Sequence, residues 1–340
     1  MSLYVGIDLH STNSYIGIIN DERHRIVGRR VPNDKVQILK LLGKYKEDIS
    51  GVVVESTFNW YWLVDMLMEE NYKLHLANPA KIQKYKGLKH SDDQTDSYWL
   101  AEMLKLGILP EGYVYPKEQR GIRDLLRHRS RLVNKRTSFK FMLEQICENQ
   151  TGIKVSNNFI SKQKTTTELS DKFETEEWKL HTESLLETIM FLEKKIKKVE
   201  AFVLKAMKHD MSYNRLQSVP GIGKALGLTI ALETGPIERF ETARDYASYC
   251  RCVPSQYWSN GKKKGSGNEK NGNKYLSWAF AEAANFNIRF CPETKSYYQR
   301  KVAKTNQPKA YRSIANKLSK ACFYIMRDNN EFSVQKLFSC

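Results

Sequence analysis

Tyr4-Val5-Gly6-Ile7-Asp8-Leu9 is a short apolar run with one carboxylate set inside it. Ser14–Ile19 and Arg25–Val31 are two further runs, separated from it and from each other by Ser11-Thr12-Asn13 and Asn20-Asp21-Glu22. Apolar runs of this length broken by turn-forming residues read as strands joined in antiparallel hairpins. A helix is expected over Lys35–Tyr45, a fourth strand at Gly51–Val54, a helix at Tyr61–Glu70 and a fifth strand at Leu74–Ala77, which ends on Asn78-Pro79. Another helix is expected from Asp93 to about Leu106. The first 115 residues therefore read as a mixed α/β domain.

Beyond it the pattern becomes helical. From Gln119 to about Cys147, apolar residues recur at Ile122, Leu125, Leu126, Leu132, Val133, Phe139, Leu143 and Ile146. A polar stretch, Ser156–Ser170, reads as a loop. Leu185, Ile189, Leu192, Ile196, Val199 and Val203 then alternate at spacings of four and three, a heptad seam. Residues 116–210 are thus read as a basic helix with a coiled-coil region, whose seam serves a hairpin within the chain or a dimer. Residues 211–340 read as a third, mostly helical domain, with a Gly/Lys/Asn-rich loop at Ser259–Lys274 and a last helix at Ala310–Arg327.

The balance of 55 Lys and Arg against 38 Asp and Glu gives a net charge of +17 in 340 residues. A surplus of that size points to a polyanionic partner, ordinarily nucleic acid, although a basic soluble protein would show it too. No apolar run approaches the roughly 20 residues of a membrane span. The start, MSLYVGIDLH, lacks the basic region and cleavage site of a signal peptide, so a cytoplasmic location without membrane partners is expected. The six cysteines show no CxxC pair and read as reduced and structural.

Asp8 sits inside its apolar run, and Glu55 closes Val52-Val53-Val54 in the same way. A carboxylate among buried residues is costly unless its charge is compensated. Asp93 and Asp96 lie three apart at a helix start and can share one face, with Asp92 as an extra acid beside them. Four acids converging on one point need a cation, and oxygen ligands favour Mg2+ or Mn2+. Such ions can serve phosphodiester cleavage. Read singly, each acid could equally be an exposed strand end or a first-turn helix residue.

Arg120, Arg123, Arg127, Arg131 and Lys135 recur at spacings of three and four, with Arg129, Arg136 and Lys140 nearby. This stripe suits a phosphate backbone; a solvated helix face is the plainer alternative. Val219-Pro220-Gly221-Ile222-Gly223-Lys224 looks like the turn of a helix-hairpin-helix, where the amides at Gly221, Gly223 and Lys224 can meet a phosphate, or a turn with no ligand. Further on, Ser259-Asn260-Gly261-Lys262-Lys263-Lys264-Gly265 sets a hydroxyl beside three lysines that can offset charge at a phosphoryl centre. A serine nucleophile needs activation, and no histidine is near in sequence. Chemistry alone leaves a phosphate-binding loop as the simpler reading.

GIDLH, VVVEST and ANPAKIQKYKGLKHSDDQTDSYWLAEML together resemble the RuvC-like, ribonuclease-H-type domain of insertion-sequence family 110 transposases. That family carries a D-E-D-D tetrad, which falls on Asp8, Glu55, Asp93 and Asp96, with Ser97 where the family has alanine. The segment from Pro254-Ser255 to Leu276 resembles the family's C-terminal pattern P-S-x-x-x-S-G-G-K…K-x-G-N-x-x-L. The catalytic serine falls on Ser259, with Ser255 and Ser266 as fallbacks, and Asn260 stands where glycine is usual. The resemblance implies DNA recombination through a covalent serine–DNA intermediate at a composite site, with the serine supplied by another subunit of a dimer or tetramer. It also implies donor and target DNA as partners and a structured guide RNA, the bridge RNA, that pairs with both.

The leading expectation is a magnesium-dependent serine transposase. Two others compete with it: a junction-resolvase-like metal nuclease using activated water, and a non-enzymatic nucleic-acid-binding protein.

Overall fold

The computed structural model describes residues 1–82, 92–156, 159–160, 167–254, 257–265 and 271–338. It divides into two compact units, one of Met1–Lys117 and one of Glu118–Gly265 with the residues from Gly272 onward.

In the first unit, β1 (Leu3–Leu9), β2 (Asn13–Ile19), β3 (Arg25–Pro32), β4 (Ile49–Glu55) and β5 (Leu74–Ala77) form one sheet in the order β3-β2-β1-β4-β5. β1, β2 and β3 pair antiparallel, whereas β1-β4 and β4-β5 are parallel. The mixed sheet and helical remainder match the RuvC-like α/β plus all-α expectation, and the strand limits fall within two residues of those read from sequence.

Strand alternation decides what each face does. Val5, Ile7, Leu9, Ile16, Ile18, Val52 and Val54 point to one face and are buried with Ile38, Leu41 and Leu42 of α1 (Lys35–Leu42) and Leu63, Val64 and Leu67 of α2 (Tyr61–Glu69). A 3-10 segment, Gly43–Asp48, links α1 to β4. The other face carries Gly6, Gly17 and Gly28 side by side, in register across three strands. α3 (Asp93–Lys105) lies on this row. A Cβ at Gly6 would stand 1.9 Å from the Ser97 carbonyl oxygen, and one at Gly17 would stand 2.7 Å from Ser97 Oγ. Only glycines let the helix come this close, and Ser97 is the small residue that meets them. Asp8 is two residues beyond Gly6 and therefore faces α3 as well.

The second unit begins with α4 (Lys117–Thr151), whose first residue falls in the other unit, and α5 (Glu176–Ala206). The heptad residues Leu185 and Ile189 of α5 are buried against Leu143 and Cys147 of α4. Arg129 pairs with Glu200, and Lys140 with Glu193, so residue numbers fall along α5 as they rise along α4. The seam thus closes an antiparallel helical hairpin within the chain. Next come α6 (Met211–Leu216), α7 (Lys224–Thr234), α8 (Ala243–Tyr249), a β-hairpin of β6 (Tyr257–Ser259) and β7 (Lys262–Gly265), α9 (Lys274–Phe290), α10 (Pro292–Lys304), α11 (Gln307–Asp328) and α12 (Val334–Phe338). Every residue of α7 from Leu226 to Thr234 is buried. α7 is the centre of a core that includes Tyr246, Phe280 and Phe323. The cysteines Cys147, Cys250, Cys252, Cys291 and Cys322 are free and buried. Among the described residues, no helix is long and apolar enough to cross a membrane.

The Gly/Lys/Asn-rich stretch expected to be a loop instead opens as a hairpin. Asn260 and Gly261 have φ of 49° and 68°, and Ser259 pairs with Lys262. Two successive residues at positive φ match the right-handed twist of the flanking strands, which is why Asn-Gly favours this turn.

Candidate active site

Asp8 is 6% exposed near the end of β1. Because Ile7 pairs with Val54 in the parallel β1-β4 ladder, the next residues along the two strands are Asp8 and Glu55. α3 enters above them. Its N-cap is Asp92, whose side chain accepts from the Thr95 amide at 2.7 Å. Asp92 is thus spent on capping the start of the helix, and Asp93 is left to face the strand. Asp93 Oδ1 lies 3.1 Å from His10 Nε2, and the same nitrogen lies 3.1 Å from Asp8 Oδ2. Arg30 Nη2 donates to Asp93 Oδ2 at 2.5 Å.

Asp8, His10 and Asp93 each present a ligand atom within 4.8 Å of the other two. Glu55 and Asp96 are outside that group. They line one pocket of about 210 Å³ with Trp99 and Leu100. Asp96 is still close enough to act on Asp8. Burial pushes the Asp8 carboxyl above its ordinary range, and the charges of Asp93 and Asp96 push it further, while His10 pulls it down. Three acids with one half-exposed histidine between them leave negative charge in excess, and a hard divalent cation is the partner such a donor set suits.

His10 was not singled out from the sequence. It stands two residues beyond Asp8, the same-face spacing of an extended chain, and that was the available signal. Its carbonyl accepts from Asn33 Nδ2 and Asn59 Nδ2, both at 2.9 Å. These two amides tie the end of β3 and the loop after β4 to the β1-β2 turn. Nothing in the local sequence marks them.

In the second unit, Ser259 is exposed at the hairpin turn, with exposed Lys262 and Lys264 on the facing strand. The side chain of Lys263, and Ser255 and Ser266, lie outside the described residues. Gly272 returns the chain to α9. It has φ of 86°, and a Cβ there would meet the Tyr249 carbonyl at 2.5 Å. Asn273 then caps α9, accepting from the Tyr275 and Leu276 amides. Its Nδ2 donates to Glu233 Oε2 at 2.7 Å.

Glu233 is 2% exposed and binds Arg127 through two bonds, Nε to Oε1 at 2.6 Å and Nη2 to Oε2 at 2.7 Å. Burial works against the Arg127 charge, but the Glu233 carboxylate outweighs it and holds the guanidinium above its ordinary value. Arg120 and Arg123 are also buried. The expected stripe therefore divides: Arg131 and Lys135 are its exposed members. Arg129, Arg136 and Lys140 are all paired with glutamates of α5.

In the glycine turn, Gly221 has φ of 91°, and a Cβ there would meet the Asn287 amide at 2.6 Å. Asn287 Nδ2 donates to the Pro220 carbonyl at 2.5 Å. Gly221 is thus needed for close packing on α9. Gly223 begins α7 without a side-chain cap, and it and Lys224 are exposed.

Residues 5–148 match the transposase family model that carries the DEDD domain of IS110, and residues 213–299 match the model described as "Transposase IS116/IS110/IS902 family". The chain belongs to the IS110 family of transposases. A probable family 20 transposase of Pseudomonas aeruginosa is 26% identical over 242 residues, covering 68% of this chain and 69% of that protein. Membership makes the chain a DNA-recombining enzyme that binds and cleaves DNA, and the DEDD domain implies a divalent metal. Both matched segments carry the candidate residues: the acids fall in the first and Ser259 in the second.

Proposed function

We propose that the transposase cleaves and rejoins DNA through a phosphoserine intermediate, with Asp8, Glu55, Asp93 and Asp96 holding Mg2+ or Mn2+ and Ser259 as nucleophile. The observation that carries the metal half is the convergence of Asp8 and Asp93 on one point with Asp96 close enough to shift Asp8. A divalent ion bound there supplies counter-charge and Lewis acidity to the phosphate. His10, fixed by Asn33 and Asn59, orients Asp8 and Asp93 and is placed to join them as a ligand.

Ser259 Oγ attacks the phosphorus, forming an O–P bond as the bond to the leaving strand breaks. The serine proton is lost, and the leaving oxygen departs as a hydroxyl. The hydroxyl of an incoming strand reverses the step and frees the serine. One phosphodiester is exchanged for another, so no nucleotide cofactor is consumed. Lys262 and Lys264 offset charge at the phosphorus. Arg131, Lys135 and the Gly221–Lys224 turn supply phosphate contacts. A guide RNA selects donor and target, and a dimer or tetramer brings serine and carboxylates of different subunits onto one phosphate.

The test uses full-length protein with Mg2+, the RNA transcribed beside the element and element-end DNA. After denaturation, wild type should retain DNA covalently, while Ser259→Ala and Asp8→Ala should not. A mixture of the two variants should regain the adduct if the subunits complement each other. Free DNA ends without an adduct, unchanged in Ser259→Ala, would remove the serine step and leave a nuclease that uses water. Omitting the RNA should abolish the adduct; its persistence would remove the guide.

A further inference from the structure

A second charged feature of the first unit is assigned no role by the carboxylate site. Between the edge strand β3 and α1 lies a cleft of about 530 Å³, lined by Arg29, Arg30, Gln37, Lys40 and Lys44 and, among the described residues, by no acid. Arg29, Lys40 and Lys44 are exposed, and among the described residues none is paired with a carboxylate. Nearby cations are treated differently: Lys46 pairs with Glu70, and Lys117 with Glu69. Lys40 at the end of α1 and Lys44 in the 3-10 segment after it line the same wall, so like charges are set together there. Concentrating unpaired cations in a concave wall costs stability and makes sense for a polyanion.

The register shows where the cleft leads. Arg29 lies in the row Ile7–Ile16–Arg29, on the α1 side of the sheet. Arg30 lies in the row Asp8–Tyr15–Arg30, on the α3 side, and holds Asp93. Arg29 thus faces the cleft, while Arg30, which also lines it, sends its guanidinium to the carboxylates. β3 is also the outer strand of the sheet, and among the described residues no further strand covers that edge.

We propose that the β3-α1 cleft binds the sugar-phosphate backbone of the DNA strand being cut, on one side of the phosphate that enters the carboxylate site. Arg29, Lys40 and Lys44 take successive phosphates, and Arg30 marks the boundary between held backbone and reacting phosphate. The proposal rests on the DNA-cleaving reading of the carboxylates.

The test measures affinity of the full-length protein for a fluorescein-labelled DNA duplex across a salt series of about 50 to 200 mM. In Arg29→Ala/Lys40→Ala/Lys44→Ala the slope of log affinity against log salt should lose about 2–3, given about 0.9 for each phosphate contact. Affinity at the low-salt end should fall at least tenfold. Arg29→Lys/Lys40→Arg/Lys44→Arg should keep the wild-type slope, which separates charge loss from misfolding. Mn2+ binding, read by calorimetry, should be the same in all three proteins. An unchanged slope in the alanine variant overturns the cleft. A slope that falls for a labelled RNA duplex but not for DNA also overturns it, because the wall then serves RNA. If wild type binds no Mn2+, the carboxylate reading fails by itself, and the slope still decides the cleft.

Discussion

The acids of the N-terminal sheet and the arginines of α4 are both arrays of like charge, and the fold treats them in opposite ways. Asp8, Asp93 and Asp96 are drawn together, and the partners at hand, Arg30 and the half-exposed His10 ring, leave negative charge over. On α4 the arginines are drawn apart into separate pairs: Arg127 goes to buried Glu233, Arg129 to Glu200 and Arg136 to Glu193. Spacing alone made both arrays look like ligand sites. Only compensation tells them apart. A charge that the fold leaves unpaired is available to a ligand, and one that it neutralises is part of the frame.

The largest effect should come from breaking that frame. Arg127→Ala leaves the Glu233 carboxyl group 2% exposed and, among the described residues, bonded only to Asn273. Removing one member of a buried pair costs about 3–5 kcal/mol. For a unit of this size that is a fall in melting temperature of roughly 6–20 °C. Arg127→Met with Glu233→Met should recover most of it, since no charge is then stranded. If Arg127→Ala instead melts like wild type and loses only DNA affinity, the comparison breaks, and Arg127 belongs with the ligand-facing cations.

The carboxylate array should behave the other way. Asp8 is pushed upward by burial first and by its acidic neighbours next. A raised carboxyl contributes stability that is present below its unfolded value and lost as pH rises through its folded value. Ionising Asp8 therefore works against the fold until a cation relieves it. Asp8→Asn should melt no lower than wild type without metal. Saturating Mn2+ should raise the wild-type melting temperature by about 5–10 °C, as expected for a ligand at a hundredfold excess over its dissociation constant. The variant should lose that rise. Calorimetry that shows the full Mn2+ shift in Asp8→Asn would place the ion elsewhere.

The sheet was legible because four of its strands carry β-branched residues and all are short and bounded by turn residues, and all five lie within two residues of their reading. The way α3 docks was not. It depends on Gly6, Gly17 and Gly28 falling into one row, and a row exists only once the strands are in register. His10 could have been found from its position two residues past Asp8. Glu233 could have been found as well: it is one acid in the run Leu228-Thr229-Ile230-Ala231-Leu232-Glu233, the same anomaly that marked Asp8. Its partner could not, because Arg127 is more than a hundred residues away and looked like one cation in a stripe. Asn33 and Asn59 carry no sequence signal, since an asparagine that holds a distant carbonyl looks like any other turn residue.

The smallest effect concerns the hairpin that presents Ser259. Asn260-Gly261 is a strong signal for a tight turn, yet the surrounding glycines and lysines made the stretch read as a loop. Asparagine and glycine both tolerate the φ of 49° found at position 260. Alanine does not, at about 1–2 kcal/mol for an ordinary side chain in the left-handed region. That cost falls on the hairpin and not on the buried core, so the melting temperature should hardly move. Amide hydrogen exchange at Lys262–Lys264 should instead quicken by about fivefold or more in Asn260→Ala and stay near wild type in Asn260→Gly. If the turn orients the nucleophile, adduct formation should slow in step with that exchange. Faster exchange with an unchanged adduct rate would mean that DNA itself, rather than the free hairpin, sets the position of Ser259.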